Sequence, residues 1–340
     1  MRVFKVILRS ILILSCPVFF LISCQQSENK VTTTKKAAED YQYFGLDSPG
    51  KKPQLFSPNI ISTHRNERDY TQNPSGNTVL YSLVLPAKNL SVIMYLYFDG
   101  FFWSEPEVAR FSGQYKDLEP AFSPDGSRLF FVSKRPVDKT YDEKDYDIWY
   151  IDVSANGWSN PMNLGSPVNS SSDEYFPSVS ENGNLYFTAS YEDSYGKEDI
   201  YYSKFENGSY TTPVNLGDSI NSDLYEFNSF ISPDESYLIF SSFGREDEAG
   251  GGDLYISYKN ADGSWTKALN MGTQINSDKM DYCPFVSQDE KYFFFTSQRE
   301  SYTFTNRKRK QFTDVVQLSN SIENGLGNIY WVEFDKKDWK

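Results

Sequence analysis

The stretch Ser123-Pro-Asp-Gly-Ser-Arg-Leu-Phe-Phe decides the fold of this chain, because versions of it occur five times. Each version is a tight turn followed by an apolar, aromatic run, and the five turns begin at Asn73, Ser123, Ser180, Ser232 and Ser287. The key turn positions are 76, 126, 183, 235 and 290, so the repeat length is 50 to 57 residues. Repeats of this length built from short strands are typical of a β-propeller, in which each repeat forms one blade.

Each repeat predicts a four-stranded blade. A Pro followed by Asp, as in Ser123-Pro-Asp-Gly, suits a tight hairpin between the first two strands. Glycine supplies a left-handed residue in three copies, whereas Glu235 and Glu290 must adopt that conformation or use another turn. A third strand, Asp147-Ile-Trp-Tyr in the second repeat, follows a loop of variable length. A further hairpin leads to a fourth strand, which carries Asn163-Leu-Gly.

The two ends of the chain determine the number of blades. The fifth repeat stops at Trp339-Lys340, before a fourth strand can form. The segment that starts at Pro53 precedes the first repeat and lacks partner strands of its own. We therefore predict an all-β, five-bladed β-propeller of four-stranded blades, closed by an N-terminal outer strand that pairs with the C-terminal hairpin. Such closure removes the exposed sheet edges that otherwise promote aggregation.

The paired motifs resemble the WD40-like repeats named PD40, which occur in TolB-like propellers. The resemblance rests on the turns together with the strands Asp147-Ile-Trp-Tyr, Asp199-Ile-Tyr-Tyr and Asp253-Leu-Tyr-Ile. It covers the chain from about residue 53 to residue 340 and implies an exported propeller that acts in binding. The chain has no room for the separate N-terminal domain of TolB, so a TolB role does not carry over.

The N-terminus has the pattern of a bacterial signal segment. Basic residues precede an apolar run from Ile11 to Ile22, which is too short for a permanent membrane span. The run ends in Leu21-Ile22-Ser23-Cys24, which resembles a lipobox and implies cleavage before Cys24 and lipid attachment to its sulfur. An ordinary signal peptide with a chance cysteine is the alternative. Because Gln25 is not Asp, the resemblance implies the outer membrane of a Gram-negative cell envelope.

These features divide the chain into three predicted segments. Residues 1–23 are the signal peptide, residues 24–50 are a lipidated flexible tether and residues 51–340 are the propeller. The formal net charge is −13, which argues against nucleic acid as a partner, because nucleic-acid binding needs a basic face. The predicted partners are an envelope protein or a glycan, with the membrane reached through the lipid anchor.

Acidic residues recur in every repeat, six residues before the turn begins. Because the inner strand of a blade starts there, we expect these acids to ring the top mouth of the axial channel and to bind a polar or cationic ligand. A divalent cation is one candidate, since hard cations prefer carboxylate oxygens; no other cofactor is expected. The alternative is structural, with each acid pairing with an arginine or capping a loop. The five acids are Glu67, Asp117, Glu174, Glu226 and Asp281.

A second candidate binding site is a basic run in the long loop of the fifth repeat. The run consists of Arg307, Lys308, Arg309 and Lys310. Four bases in an acidic protein suit anionic lipid headgroups or an acidic partner, and a solvated mobile loop is the alternative. The single histidine, His64, is expected at the surface, and Cys283 as a small buried residue. Because no nucleophile elbow, P-loop or Cys/His metal spacing occurs, no catalytic residue is assigned.

The sequence therefore favours a lipid-anchored envelope propeller that acts as a non-catalytic binding or scaffold module for a protein or glycan. The alternative is a carbohydrate-active enzyme, a glycoside hydrolase or lyase, that uses carboxylates at the top of the channel. The acidic ring offers candidates for such chemistry, but it repeats evenly and marks no blade as different.

Overall fold

A computed structural model describes residues 42–137, 145–302 and 309–339. The chain divides into two units, Met1–Glu39 and Asp40–Lys340, and every described residue belongs to the second. Its strands form five antiparallel blades of four main strands each. The predicted five-bladed propeller is confirmed.

The blades repeat one strand order from the axis outward. The inner strands are β2 (Asn66–Gln72), β6 (Asp117–Phe122), β11 (Glu174–Val179), β17 (Tyr225–Ile231) and β21 (Asp281–Val286). The second strands are β3 (Thr78–Leu85), β7 (Arg128–Ser133), β12 (Leu185–Ala189), β18 (Tyr237–Phe243) and β22 (Tyr292–Ser297). The third strands are β4 (Leu90–Tyr97), β8 (Asp147–Ser154), β13 (Asp199–Ser203), β19 (Asp253–Tyr258) and β23 (Asn328–Glu333). The outer strands are β5 (Glu107–Val108), β10 (Met162–Asn163), β16 (Val214–Asn215), β20 (Leu269–Asn270) and β1 (Gln54–Leu55).

Few elements lie outside this pattern. The short strand β9 (Gly157–Trp158) pairs with β8, and β14 (Phe205–Glu206) pairs with β15 (Ser209–Tyr210). Within the described ranges, one α-helix, α1 (Phe312–Ser319), lies in the long loop of blade five, and 3₁₀ turns cover Gln42–Gly45 and Pro86–Lys88. No helix in the described part of the chain is long and apolar enough to cross a membrane.

The ring closes through the N-terminal strand, as predicted. Strand β1 pairs antiparallel with β23, with Gln54 opposite Trp331 and Leu55 opposite Tyr330. Neighbouring inner strands contact one another around the whole ring, including β21 with β2. We call the face at which the inner strands begin the top face, and the face that carries the hairpins between first and second strands the bottom face.

The hairpin turns keep their left-handed residue even where glycine is missing. Glu235 and Glu290 have φ values of 57° and 52°. Each carboxylate binds a lysine of its own blade, with Glu235 to Lys259 at 2.5 Å and Glu290 to Lys336 at 3.1 Å. A non-glycine residue in this conformation costs roughly 1–2 kcal/mol, so these ion pairs offset part of the strain.

The core consists of aromatic and aliphatic side chains packed between adjacent blades. Phe240, Phe293 and Phe295 are fully buried in two of these layers. Full burial of such a side chain stabilises the fold by about 1.5–3 kcal/mol. The N-terminal side of the propeller adds to this core, because Tyr43 stacks on Phe294 and Phe44 stacks on Trp103. Packed residues therefore begin before position 51, where the sequence placed the start of the propeller.

Candidate functional site

Every inner strand contains a β-bulge at the same position, two residues after its acid. The register of the first two strands shifts there in all five blades. The residue at the bulge has a left-handed backbone, with φ between 48° and 61°, although none is glycine. Bulges re-aim side chains and often lie beside functional sites. The five bulge residues, which we call the axial layer, are Asp69, Glu119, Phe176, Asn228 and Cys283.

The five acids predicted at the mouth are buried at the beginnings of the inner strands. Each is at most 1% exposed. Their carboxylates bind residues just before them in the chain, as in Ser222 Oγ to Glu226 Oε1 at 2.7 Å. Three of them also pair with an arginine, as the structural alternative predicted: Asp117 with Arg135, Glu226 with Arg245, and Asp281 with Arg299. Their carboxylates thus hold loops and blades together, and ligand binding by this ring stays a prediction.

An ion-pair cluster at the axis joins the first two blades. Arg68 lies one residue before the bulge of blade one, and its Nε donates to Asp69 Oδ1 at 2.7 Å. Its NH2 group donates to Glu119 Oε1 at 2.8 Å, across the blade boundary. The guanidinium also lies over the Tyr282 ring, 5.2 Å from the centroid. One arginine is therefore held by two carboxylates and one ring.

The position of Glu119 follows from a missing hydroxyl. In three blades the bulge N–H is bound by a hydroxyl on the second strand of the preceding blade, for example Asn228 N by Thr188 Oγ1 at 3.1 Å. The strand register places Val132 at the position equivalent to Thr188. Valine cannot accept the bond, and Phe176 N donates to Glu119 Oε2 at 2.7 Å instead. This bond fixes one carboxylate oxygen while Arg68 fixes the other.

A pocket of about 420 Å³ opens above the axial layer on the top face. Its floor includes Arg68, Glu119 and Asn228, and Glu198 joins the wall from the loop before β13. Glu198 is half-buried, and its carboxylate forms no hydrogen bond or ion pair with any described residue. Aromatic side chains supply most of the remaining wall: Tyr175, Tyr225, Phe227, Phe243 and Tyr282.

Two carboxyls of this pocket have raised pKa values. Burial raises the pKa of Glu119 to about 7, although Arg68 lowers it, and the nearby charges of Asp69 and Glu198 add to the rise. Burial also raises the pKa of Glu198, again against the effect of Arg68. Two interacting carboxyls with raised pKa values can share one proton, so that one is protonated while the other is ionised, as acid–base catalysis requires.

Below the axial layer lies a smaller cavity of about 60 Å³. Asp69, Glu119 and Phe176 line it from above, and Phe230 and Phe285 are among its walls. Asp69 Oδ2 is buried and accepts no hydrogen bond from any described residue, whereas Asp69 Oδ1 accepts a hydrogen bond from Cys283 Sγ at 2.8 Å. Burial raises the pKa of the Cys283 thiol well above its usual range. Cys283 is therefore a buried neutral thiol that donates to Asp69.

The other predicted site residues are placed as follows. Cys24, Arg307 and Lys308 lie outside the described residues. Arg309 is exposed, and Lys310 Nζ lies 4.7 Å from the ring centroid of Tyr302. Both lie in the loop between β22 and β23 on the top face, and neither belongs to the axial layer. Within the described ranges, no group of three or more His, Cys, Asp or Glu is arranged to hold a metal ion.

No protein-family model and no curated protein matches this sequence. Among solved structures, a protein titled "Glycoside hydrolase" has a TM-score of 0.51 at 8% identity, covering 89% of this protein and 95% of that one. An alpha-L-arabinofuranosidase from Lactobacillus brevis has a TM-score of 0.48 at 12% identity, covering 83% and 94%. A GH43 endo-arabinanase from Bacillus licheniformis has a TM-score of 0.46 at 10% identity, covering 86% and 99%. At these identities the likeness concerns the fold.

The resemblance to PD40 repeats and TolB-like propellers was wrong, since no family model matches and a solved structure with the same fold is described as a glycoside hydrolase. The motifs have a geometric cause. The third-strand Asp binds the fourth-strand Asn in three blades, as in Asn163 Nδ2 to Asp147 Oδ2 at 2.7 Å. The Ser-Pro-Asp-Gly turn and this Asp–Asn pair therefore build a blade without identifying a family.

The expectation of a non-catalytic, protein-binding scaffold is corrected as well. It relied on the evenness of the acidic ring, whereas the axial layer differs in every blade and contains Glu119, whose pKa is raised. A solved structure with the same fold is described as a glycoside hydrolase, and the alternative of a carbohydrate-active enzyme is a proposal. The predicted glycan partner is consistent with that likeness, and the envelope protein and membrane anchor stay predictions. The sequence signal that was missed is the residue two positions after each acid, where Asp69 and Glu119 stand out.

Proposed function

We propose that this chain is a glycoside hydrolase whose site is the top pocket. The observation that carries the proposal is the pair Glu119 and Glu198, two carboxyls with raised pKa values beside one aromatic-lined pocket. Hydrolysis of a glycosidic bond needs one carboxyl as proton donor and another as base or nucleophile. Concave pockets with a few polar groups among aromatic walls are the usual setting for small-molecule and sugar binding.

The two carboxyls take different roles because their surroundings differ. Glu119, with a pKa of about 7, keeps its proton in about half of the molecules at neutral pH and donates it to the leaving oxygen. Glu198 is more exposed and binds the attacking water, whose proton it accepts as the water oxygen bonds to the anomeric carbon. The C–O bond to the leaving sugar breaks in the same step, so one water is consumed.

Arg68 acts as a positioning residue. It holds one oxygen of Glu119, and the Phe176 N–H holds the other, so the carboxyl cannot rotate away. Because Arg68 is already matched by Asp69 and Glu119, it has no spare charge for an acidic sugar. The pocket therefore suits neutral glycans, which Tyr225 and Phe243 can contact with ring faces at its rim.

The test is turnover on a panel of neutral oligosaccharides and aryl glycosides, read as released reducing ends. Glu119→Gln and Glu198→Gln should each lower kcat by about 10²–10⁴-fold. Glu192→Gln is the matched control, because Glu192 is exposed in the same loop as Glu198 and outside the pocket. Binding of a glycan without turnover, or equal turnover in all variants, would refute the hydrolase assignment. An unsaturated product would indicate a lyase.

We further propose that the enzyme works at the cell envelope, attached through an acylated Cys24. The support is the lipobox-like Leu21-Ile22-Ser23-Cys24 at the end of the apolar run. Radiolabelled palmitate should enter the wild type and fail to enter Cys24→Ala. Label in the variant would contradict the anchor and leave the hydrolase proposal untouched.

A further inference from the structure

The most exposed aromatic pair of the blades lies at a hairpin tip on the bottom face. Phe101 and Phe102 are 73% and 72% exposed, at the turn between β4 and β5 of blade one. The tip is ordered by Asp99, whose Oδ1 accepts from both Phe101 N and Phe102 N at 2.8 Å. Tyr97 and Val108, on the flanking strands, are each 46% exposed. The hairpin thus presents a fixed apolar surface to its surroundings.

The other blades provide an internal comparison, because blades two to four have a hairpin at the same place and blade five has a turn there, after β23. None of those four tips carries an aromatic residue at its apex. Their apices are Ala155-Asn156, Asn207-Gly208, Ala261-Asp262-Gly263 and Lys336-Lys337. The fold therefore does not require aromatic residues there, and the Phe pair is specific to blade one.

The Phe pair lies where the N-terminal segment joins the propeller. Phe44, among the first described residues, stacks on Trp103 of the same hairpin, with ring centroids 4.3 Å apart. Phe44 lies twenty positions after the predicted lipid attachment at Cys24. The covalent path from the predicted anchor therefore reaches the protein at this edge of the bottom face.

Exposed lysines lie at the bottom end of blade five, the neighbour of blade one in the ring. Gly50 O accepts from Glu333 N at 2.8 Å, which places Lys51 and Lys52 beside the bottom end of β23. Lys51 pairs with Asp338, whereas Lys52 and Lys337 are exposed and form no ion pair within the described ranges. Aromatic rings with neighbouring lysines are the residue types enriched at the boundary between membrane and water.

We propose that this edge, made of Phe101, Phe102, Lys52 and Lys337, docks on an anionic lipid bilayer. The aromatic rings enter the headgroup region and the ammonium groups bind lipid phosphates. Because the edge lies on the bottom face, the top pocket opens away from the membrane. The inference concerns orientation and does not depend on the hydrolase assignment.

One other surface competes for the same membrane. Helix α1 exposes Phe312 and Val315, 81% and 52% exposed, close to Arg309 and Lys310. It follows β22 and precedes β23, so it belongs to the top face. A single bilayer cannot contact both faces, and the experiment must therefore report on each.

The experiment places an environment-sensitive fluorophore on single cysteines of the mature full-length chain. The probe sites are Phe102→Cys on the proposed edge, Ala155→Cys at the equivalent tip of blade two, and Val315→Cys on α1. The native Cys283 is 1% exposed, and any labelling of Cys283 or of a Cys24 that is not acylated is measured as background on the wild-type chain. Each protein is mixed with vesicles of phosphatidylethanolamine and phosphatidylglycerol that carry a lipid-borne quencher.

The expected result is a blue shift and quenching of the probe at position 102, and neither change at 155 or 315. Raising the salt concentration should weaken the quenching, since lysine–phosphate attraction is screened. Lipid contact at 315 without contact at 102 overturns the proposal in favour of α1. A blue shift at 102 that grows with protein concentration without vesicles overturns it in favour of a second copy. No change at 102 also overturns it, whether or not Cys24 is acylated.

Discussion

The buried acids and the axial layer lie two residues apart on the same strands and are all buried, but they differ in repetition and in bonding. The acids repeat in all five blades and bind partners mostly within their own blade or the loop before it, although Glu67 also accepts from Asn328 of blade five. The axial layer has a different residue in each blade and takes part in bonds across blade boundaries, as Glu119 does in accepting from Arg68.

This difference separates scaffold from function within one motif. A repeated residue solves a problem that every blade has, such as holding the start of its inner strand. A residue that differs from its counterparts at a shared, strained backbone position indicates a role particular to that blade. In a repeat protein, departure from the repeat is therefore a better guide to chemistry than the repeat itself.

The largest expected effect is on the scaffold side. Asp117→Ala leaves Arg135, 8% exposed, without its carboxylate. Removing one partner of a buried pair costs about 3–5 kcal/mol, so urea unfolding should shift strongly. Asp152→Ala breaks the exposed pair with Arg128 and should cost at most about 1 kcal/mol. The turnover of the folded fraction should be unchanged in both. If Asp117→Ala lost turnover but kept its stability, the buried acids would have a functional role and not only a structural one.

A smaller effect concerns the axial layer, through the pH dependence of the free energy of unfolding. The folded pKa of Glu119 is about 7, above the ordinary 4.5, so its contribution to stability is fully present below about pH 4.5 and is lost as the pH rises through 7. In Glu119→Gln this dependence disappears. The difference in free energy of unfolding between wild type and variant should therefore change by on the order of 2 kcal/mol from pH 4.5 to 8.

The control for this measurement is Glu192→Gln, which is exposed in a neighbouring loop. It should leave the pH dependence of unfolding as it is in the wild type. Parallel curves for the wild type and Glu119→Gln would mean that Glu119 is ionised throughout, and the proposed proton donor would have to be sought elsewhere.

The smallest effect restores the repeat where it is broken. Val132→Thr supplies the hydroxyl that Thr188 gives in the next blade, so Phe176 N should bind it in place of Glu119. Glu119 then loses a hydrogen bond to its ionised form, and its pKa should rise by up to about one unit. Carbon-13 NMR titration of the carboxyl measures this. An unchanged titration would show that Val132 does not control the position of Glu119.

The sequence by itself determined the architecture of this protein. The five turns that begin at Asn73, Ser123, Ser180, Ser232 and Ser287, together with the unfinished fifth repeat, were enough to predict five blades and N-terminal closure. These features are local, because turn chemistry and strand alternation depend on neighbours in the chain. The same locality explains why the motifs misled about family, since any blade of this geometry needs them.

The tertiary structure alone decided which carboxyls come together at the top pocket. Asp69, Glu119 and Glu198 are far apart in sequence, and only the bulges and the ring bring them to one axis. Counting along a strand selected the acids, which lie two residues before the axial layer. It assumed a regular strand register and so missed the bulge, which changes the direction of the side chains that follow the acid. The pKa of Glu119 depends on burial and on charges from other blades, which arise only when the ring closes.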